Sequence, residues 1–351
     1  MKMKSVYCYM LAGLMLSASS CSSWLSEDDA PVMSYDYYET EAGVNAAITA
    51  AYGFLRWGVG GERFDVLTEL GTDLFTEGED GSNRESYNKY ATQLNPDDGI
   101  LYEMWENHYK GISDANIAMQ KIRDSQDLLE SVKIQSYAEM QFIRAYLYFD
   151  LVQQFGRIPL VTEGSFEIRT DFKRAPIADV YNVIISDLRN AAENLPEKAS
   201  VLGRATRYSA AHLLAKVYLT RGSAVKDARG QKATDMDSTL YYAEQVINSG
   251  AYALQENFSS LWDIKNQGNS EAVFAVQFTT EPMFNGDGNK QHLYWLSWYE
   301  DQPGMLRDIE NGRPYRRHVA TKKTMDDLFD RLHDSRFYKS FKWVYLSLIH
   351  I

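Results

Sequence analysis

Four aromatic residues crowded into HLYWLSWYE (Tyr294, Trp295, Trp298 and Tyr299) are the side chains of this sequence best suited to gripping a ligand. The apolar face of a sugar ring stacks on an indole or phenol, and nearby polar groups satisfy its hydroxyls. Spacing leaves two uses open. On a helix, tryptophans three apart share one face and serve packing; in a loop the same rings form a platform. Tyr146, Tyr148, Phe149 and Phe155 fall instead in a strongly periodic stretch, which marks them as core. A second cluster, GTDLFTEGEDGSN at 71–83, gathers Asp73, Glu77, Glu79 and Asp80 around Gly78 and Gly81. Oxygen ligands at this density suit a hard cation such as calcium. Their spacing is not that of an EF-hand, and a solvated acidic loop has the same composition. No cofactor is therefore expected, calcium having no specific support, and no metal ligand is assigned.

Other chemistry is harder to place. The six histidines form neither HExxH nor any close pair with metal-ligand spacing, and GxSxG and GxxxxGK[ST] do not occur. Carboxylates are too numerous for any two to stand out as a glycosidase acid and base. No catalytic residue follows, and the chain is read as a binding protein rather than an enzyme. Its net charge of −12 argues against nucleic acid as a partner.

Cys21 has a defined chemistry. Lys2 and Lys4 precede an apolar run over 6–16, and the small residues Ser17, Ala18, Ser19 and Ser20 lead directly to it. The run is well short of the ~20 residues a membrane-spanning helix needs. Cleavage before Cys21 would expose its thiol and amino group for acylation, anchoring the chain in lipid. The only other cysteine, Cys8, lies inside the discarded segment, so no disulfide can form in the mature chain.

The elements that must carry these groups are mostly helical. After a signal peptide at 1–20 and a flexible tether at 21–33, helical periodicity runs over 40–57, with Thr40 as N-cap, and ends at Gly58, Gly60 and Gly61. Further amphipathic stretches cover 101–123, 128–155, 177–194, 209–221 and 238–248, punctuated by glycine and proline. Tandem helices of this kind predict stacked helix–turn–helix units like a tetratricopeptide array, without the strict 34-residue consensus. EAVFAVQF at 271–278 is the best strand candidate, and beyond about residue 279 the chain turns loop-rich. The fold class is mainly α: a helical scaffold over 34–278 and an irregular ligand-binding region over 279–351.

Taken together these segments resemble the SusD/RagB family of outer-membrane nutrient-binding lipoproteins. AEMQFIRAYLYFDLVQQFGRIPLVTE (138–163) is similar to the family's long helix with FLRA-Y-YFDL, followed by a glycine and a PL turn. GRATRYSAAHLLAKVYLTRG (203–222), DVYNVIISDLRNAAENLP (179–196) and WENHYKGISDANIAMQKI (105–122) resemble its other helices. AAYGFL (50–55), AEQVINSGAYAL (243–254) and DSRF (334–337) also fit. The resemblance implies a tetratricopeptide-like scaffold with a variable ligand surface. It implies a partner, a SusC-like TonB-dependent transporter over which the lipoprotein sits as a lid, and an outer-membrane location facing the exterior. It carries over one residue, the acylated Cys21. The ligand is expected to be a polysaccharide or oligosaccharide, or, as in the RagB branch, a peptide. Family members continue well beyond this length, so the region from 279 and the tail VYLSLIHI are expected to be an incomplete C-terminal part.

Overall fold

The computed structural model describes residues 40–78, 84–90, 94–165, 169–225, 228–281, 286, 288–309 and 311–341. The expected signal peptide, Cys21 and the tether lie outside the described residues, as do Glu79, Asp80, Gly81 and the VYLSLIHI tail.

The long helices are α1 (Glu41–Gly53), α2 (Gly99–Asp124), α3 (Glu130–Phe155), α4 (Ile177–Asn194), α5 (Arg207–Gly222) and α6 (Asp235–Ile247). Their starts have local causes. Thr40 keeps an extended backbone and accepts from the Gly43 N–H at 3.0 Å, as expected. Asp98 accepts from Ile100 N–H at 2.8 Å ahead of α2, and a reciprocal Thr206–Ser209 capping box opens α5. Helix α3 stops at Gly156, whose φ of +69° is a conformation that a residue with a Cβ rarely adopts. The observed ends fall within three residues of the expected ones, except that α1 stops at Gly53 rather than at 57, where a 3-10 turn, Phe54–Arg56, takes over.

Consecutive helices pack on one another from α2 through α6, and α1 lies across α2 and α3. This is the mainly helical, tetratricopeptide-like scaffold. Helix α3 is its axis: residues 138–145 are all buried, because neighbours cover it on every side. Its buried polar groups are therefore paired. Glu139 accepts from Tyr52 Oη at 2.7 Å, and the same hydroxyl accepts from Ala205 N–H at 2.7 Å, tying α1, α3 and the entry to α5 together. Arg221 and Asp235 make a buried two-bond ion pair at 2.6 and 3.0 Å that joins α5 to α6.

Close approach fixes one glycine by packing. A Cβ on Gly111 would sit 2.6 Å from Leu147 Cδ1 and 2.9 Å from Phe54 Cγ. Gly111→Val is expected to destabilise the protein by about 1–3 kcal/mol through overpacking, read as a lower urea midpoint. A variant as stable as the parent would show that α2 and α3 can spread.

The EAVFAVQF expectation needs correction. Residues 271–278 form no strand. Phe274 and Val276 lie against the helical core, with the Phe274 ring 5.1 Å from Phe142 and 6.5 Å from Tyr52. Helical side chains satisfy its carbonyls: Ser209 Oγ donates to Val273 O at 3.2 Å and Arg56 Nε to Gln277 O at 3.0 Å. The strands among the described residues are β1 (Phe75–Glu77) and β2 (His318–Ala320), antiparallel, with Phe75 opposite Ala320 and Glu77 opposite His318. Thus Glu77 of the acidic cluster belongs to a strand, and the Asp73 carboxylate accepts from Lys323 Nζ.

Candidate functional site

The aromatic segment is held against the helical scaffold at its start and, further on, against residues 315–317, which lead into β2. A short helix, Gln291–Tyr294, is tied down by Lys290 N–H to Gly60 O at 3.2 Å and by Gln291 Nε2 to Gly61 O at 3.0 Å. The chain then leaves helical geometry. The carbonyls of Leu293, Tyr294 and Leu296 accept from the N–H groups of Tyr315, Arg317 and Arg316 at 2.8–3.0 Å. Because the helix ends at Tyr294, Trp295 and Trp298 do not share a helix face, and no ring contact joins them.

The four predicted residues divide by burial. Tyr299 is 2% exposed; its hydroxyl donates to Gly312 O at 2.8 Å and accepts from Asp308 N–H at 3.2 Å. Tyr294 is 9% exposed, its ring 5.8 Å from Tyr315 with the Arg317 guanidinium 5.4 Å from its centre. These two tyrosines fasten the segment. The half-buried tryptophans retain open surface. Trp295 sets its ring at 76° to Phe75, 4.8 Å away, and donates from Nε1 to Gln291 Oε1 at 3.0 Å. Trp298 lies under the Arg316 guanidinium at 5.9 Å.

The segment forms a wall between two cavities, since adjacent residues alternate sides. Trp295 and His318 line a cavity of about 770 Å³ together with Phe75, Met325, Phe329 and Phe341. Tyr294 and Arg317 line a second, of about 710 Å³, with Trp57 and Phe278. Both volumes lie within the range of small-molecule sites, about 300–1,000 Å³. The first is an aromatic hollow with few polar groups. The second mixes aromatic rings with charged side chains.

Two titratable groups stand behind Trp295. Burial, reinforced by the charge of Glu69, pushes the Asp65 carboxyl up to about 6, against the pull of the Gln291 and Trp295 donors. Burial and the Arg317 charge push the His318 imidazole down to about 4. His318 Nε2 lies 3.7 Å from Asp65 Oδ2, beyond hydrogen-bond reach, and neither imidazole nitrogen has a hydrogen-bond partner among the described residues. An imidazole without an orienting partner is not poised as a general base.

Phe75, His318 and Asp65 were not legible as site residues. Phe75 sits in the acidic segment and His318 among arginines, and only the β1–β2 pairing brings them to Trp295. Cys21, the expected lipid anchor, is outside the described residues.

Comparison with known proteins agrees with this architecture. A SusD-like family model described as "Starch-binding associating with outer membrane" matches residues 32–219. SusD-like protein P2 of Formosa agariphila is 27% identical over 89% of this chain and 63% of its own length. The starch-binding protein SusD of Bacteroides thetaiotaomicron is 27% identical over 50% of this chain and 29% of its own. A solved laminarin-binding SusD-like protein superposes with a TM-score of 0.58 at 28% identity, over 67% of this chain and 50% of that one. The chain spans less than two thirds of the length of each of these relatives.

Proposed function

Because this chain belongs to the SusD-like family, we propose that it captures a polysaccharide or oligosaccharide at the cell surface and hands it to a SusC-like TonB-dependent transporter in the outer membrane. Acylated Cys21 would hold it there. The observation that carries this reading is the Trp295 wall. A half-buried indole, fixed by Gln291 and by the edge of Phe75, faces a cavity of small-molecule size. A ring held rigid before the ligand arrives loses little entropy on stacking. The names of two relatives point to glucans: one is called starch-binding and another laminarin-binding.

The test is titration of starch and laminarin oligosaccharides against Trp295→Ala, Trp298→Ala and the double variant. Trp295→Ala is expected to weaken glycan binding tenfold or more, about 1.4 kcal/mol, with the melting temperature little changed. Trp298→Ala, whose ring is partly occupied by Arg316, is expected to have the smaller effect. Unchanged glycan affinity in the double variant would return both tryptophans to packing, and binding of peptides in place of glycans would move the protein to the RagB-like alternative.

A further inference from the structure

Behind the Trp295 wall two polar side chains are buried side by side without satisfying each other. Asp65 lies on the short helix Glu62–Thr68, and His318 opens β2. The His318 side chain is 0% exposed and that of Asp65 14% exposed. The imidazole packs on both rings of the wall, 5.0 Å from the centre of Trp295 and 6.3 Å from that of Tyr294. Yet Asp65 Oδ2 stops 3.7 Å from His318 Nε2. Neither that oxygen nor either imidazole nitrogen has a hydrogen-bond partner among the described residues. A buried polar group left unpaired costs about 1–3 kcal/mol, and three such atoms meet at this one place.

A single proton removes the conflict. With Asp65 ionised, the pair carries a negative charge in a low-dielectric site. With one proton added it is neutral, and the carboxyl O–H can donate to Nε2. Closing the gap to a hydrogen-bond length of about 2.8 Å draws β2 toward the Glu62–Thr68 helix and fixes the imidazole behind Trp295. The surrounding charges leave this role to the pair. Glu69 acts on Asp65 and Arg317 on His318, each favouring the neutral form. Glu62 bridges Arg84 and Arg317. Glu77, opposite His318 in the ladder, is answered by Lys89 at 3.5 Å, and Lys323 by Asp73. Burial holds the Asp65 carboxyl at about 6, so the proton arrives in mild acid.

We infer that Asp65 and His318 form a proton-operated positioning device for Trp295: uptake of one proton locks β2 against the Glu62–Thr68 helix and sets the indole, so glycan is captured more tightly in mild acid than at neutral pH. The inference rests on the glycan-binding reading and adds its regulation. By reciprocity, a ligand that favours the locked wall also favours the proton.

The test uses the full chain in detergent with starch and laminarin oligosaccharides as probes. Affinity is expected to be about fivefold tighter at pH 5 than at pH 7.5. Asp65→Asn places a neutral donor where the protonated acid stands, so it is expected to show the acid affinity at both pH values. His318→Phe keeps a ring and removes the acceptor, and it is expected to show the weaker affinity at both. Exposed His292, which lines the same cavity, is unchanged in each variant. A second readout needs no ligand. The Trp295 fluorescence, taken as parent minus Trp295→Phe, is expected to titrate near 6 in the parent and to stay constant in Asp65→Asn. Glycan affinity that does not change with pH in the parent overturns the inference and leaves the glycan-binding reading standing. A pH dependence that survives in Asp65→Asn also overturns it, since some other group would then carry the proton. If the fluorescence titrates as expected but no glycan binds, the proton device stands and the glycan-binding reading falls.

Discussion

Arg144→Met is expected to destabilise the protein by about 3–5 kcal/mol at pH 7, seen as a large drop in the urea midpoint. Arg144 is 6% exposed and its partner Asp187 is 2% exposed. Nε and Nη2 donate to the two Asp187 oxygens at 2.8 Å each, and Nη1 donates to Asn116 Oδ1 at 2.7 Å and to Thr162 O at 3.0 Å. One guanidinium therefore binds α3 to α4, to α2 and to the segment after α3. The loss is large because Asp187 would remain buried with only the Gln141 amide, at 2.9 Å, to satisfy it. A double variant, Arg144→Met with Asp187→Leu, is expected to recover most of the loss, since the stranded charge goes with it. A single variant within about 1 kcal/mol of the parent would refute the assignment of Arg144 as the tie between these helices.

The second large effect is a change in the shape of the acid stability profile on Asp65→Asn. The folded Asp65 carboxyl titrates at about 6, against about 4 in the unfolded chain. Between these values the folded state holds more protons, so this group's contribution rises as pH falls and is lost as pH rises through 6. His318 runs the other way. Its folded value of about 4 lies below the unfolded value of about 6.5, so its contribution is present above pH 6.5 and is lost as pH falls toward 4. Each displacement of about two pH units is worth on the order of 3 kcal/mol, and in the parent the two slopes largely cancel. Asp65→Asn removes one slope. The variant is expected to be about 2–3 kcal/mol more stable than the parent at pH 8 and to lose stability between pH 6.5 and 4, where the parent stays nearly flat. Parallel profiles for the two proteins would show that Asp65 is not a buried ionised group.

The helices were legible because their signals are local. Thr40 and Gly156 act on the turn beside them, and apolar spacing marks α2 through α6 without reference to any distant residue. Residues 271–278 misled for a physical reason: a non-helical segment packed on a helical layer carries the same short apolar run as a strand buried in a sheet. The site was legible only in part. The crowding of Tyr294, Trp295, Trp298 and Tyr299 is visible in one window of sequence, but their division into two fasteners and two half-open rings depends on residues 308–317. The lining of the second cavity left no trace, since its charged residues come from positions 56, 62, 63, 84, 103, 290 and 317. Tertiary folding alone assembles them.

The β1–β2 ladder closes a loop of roughly 240 residues with three residue pairs. Neighbouring helices meet across short turns and can assemble early, whereas this ladder must first overcome the entropy of bringing distant segments together. It is thus the natural last step of folding and the first place to open in the folded protein. Phe75 and Trp295 face each other only while it is closed. A ligand resting on both rings would draw the equilibrium toward closure by mass action. Occupancy would then be readable from a distance, as slower hydrogen exchange at the β1 and β2 amides.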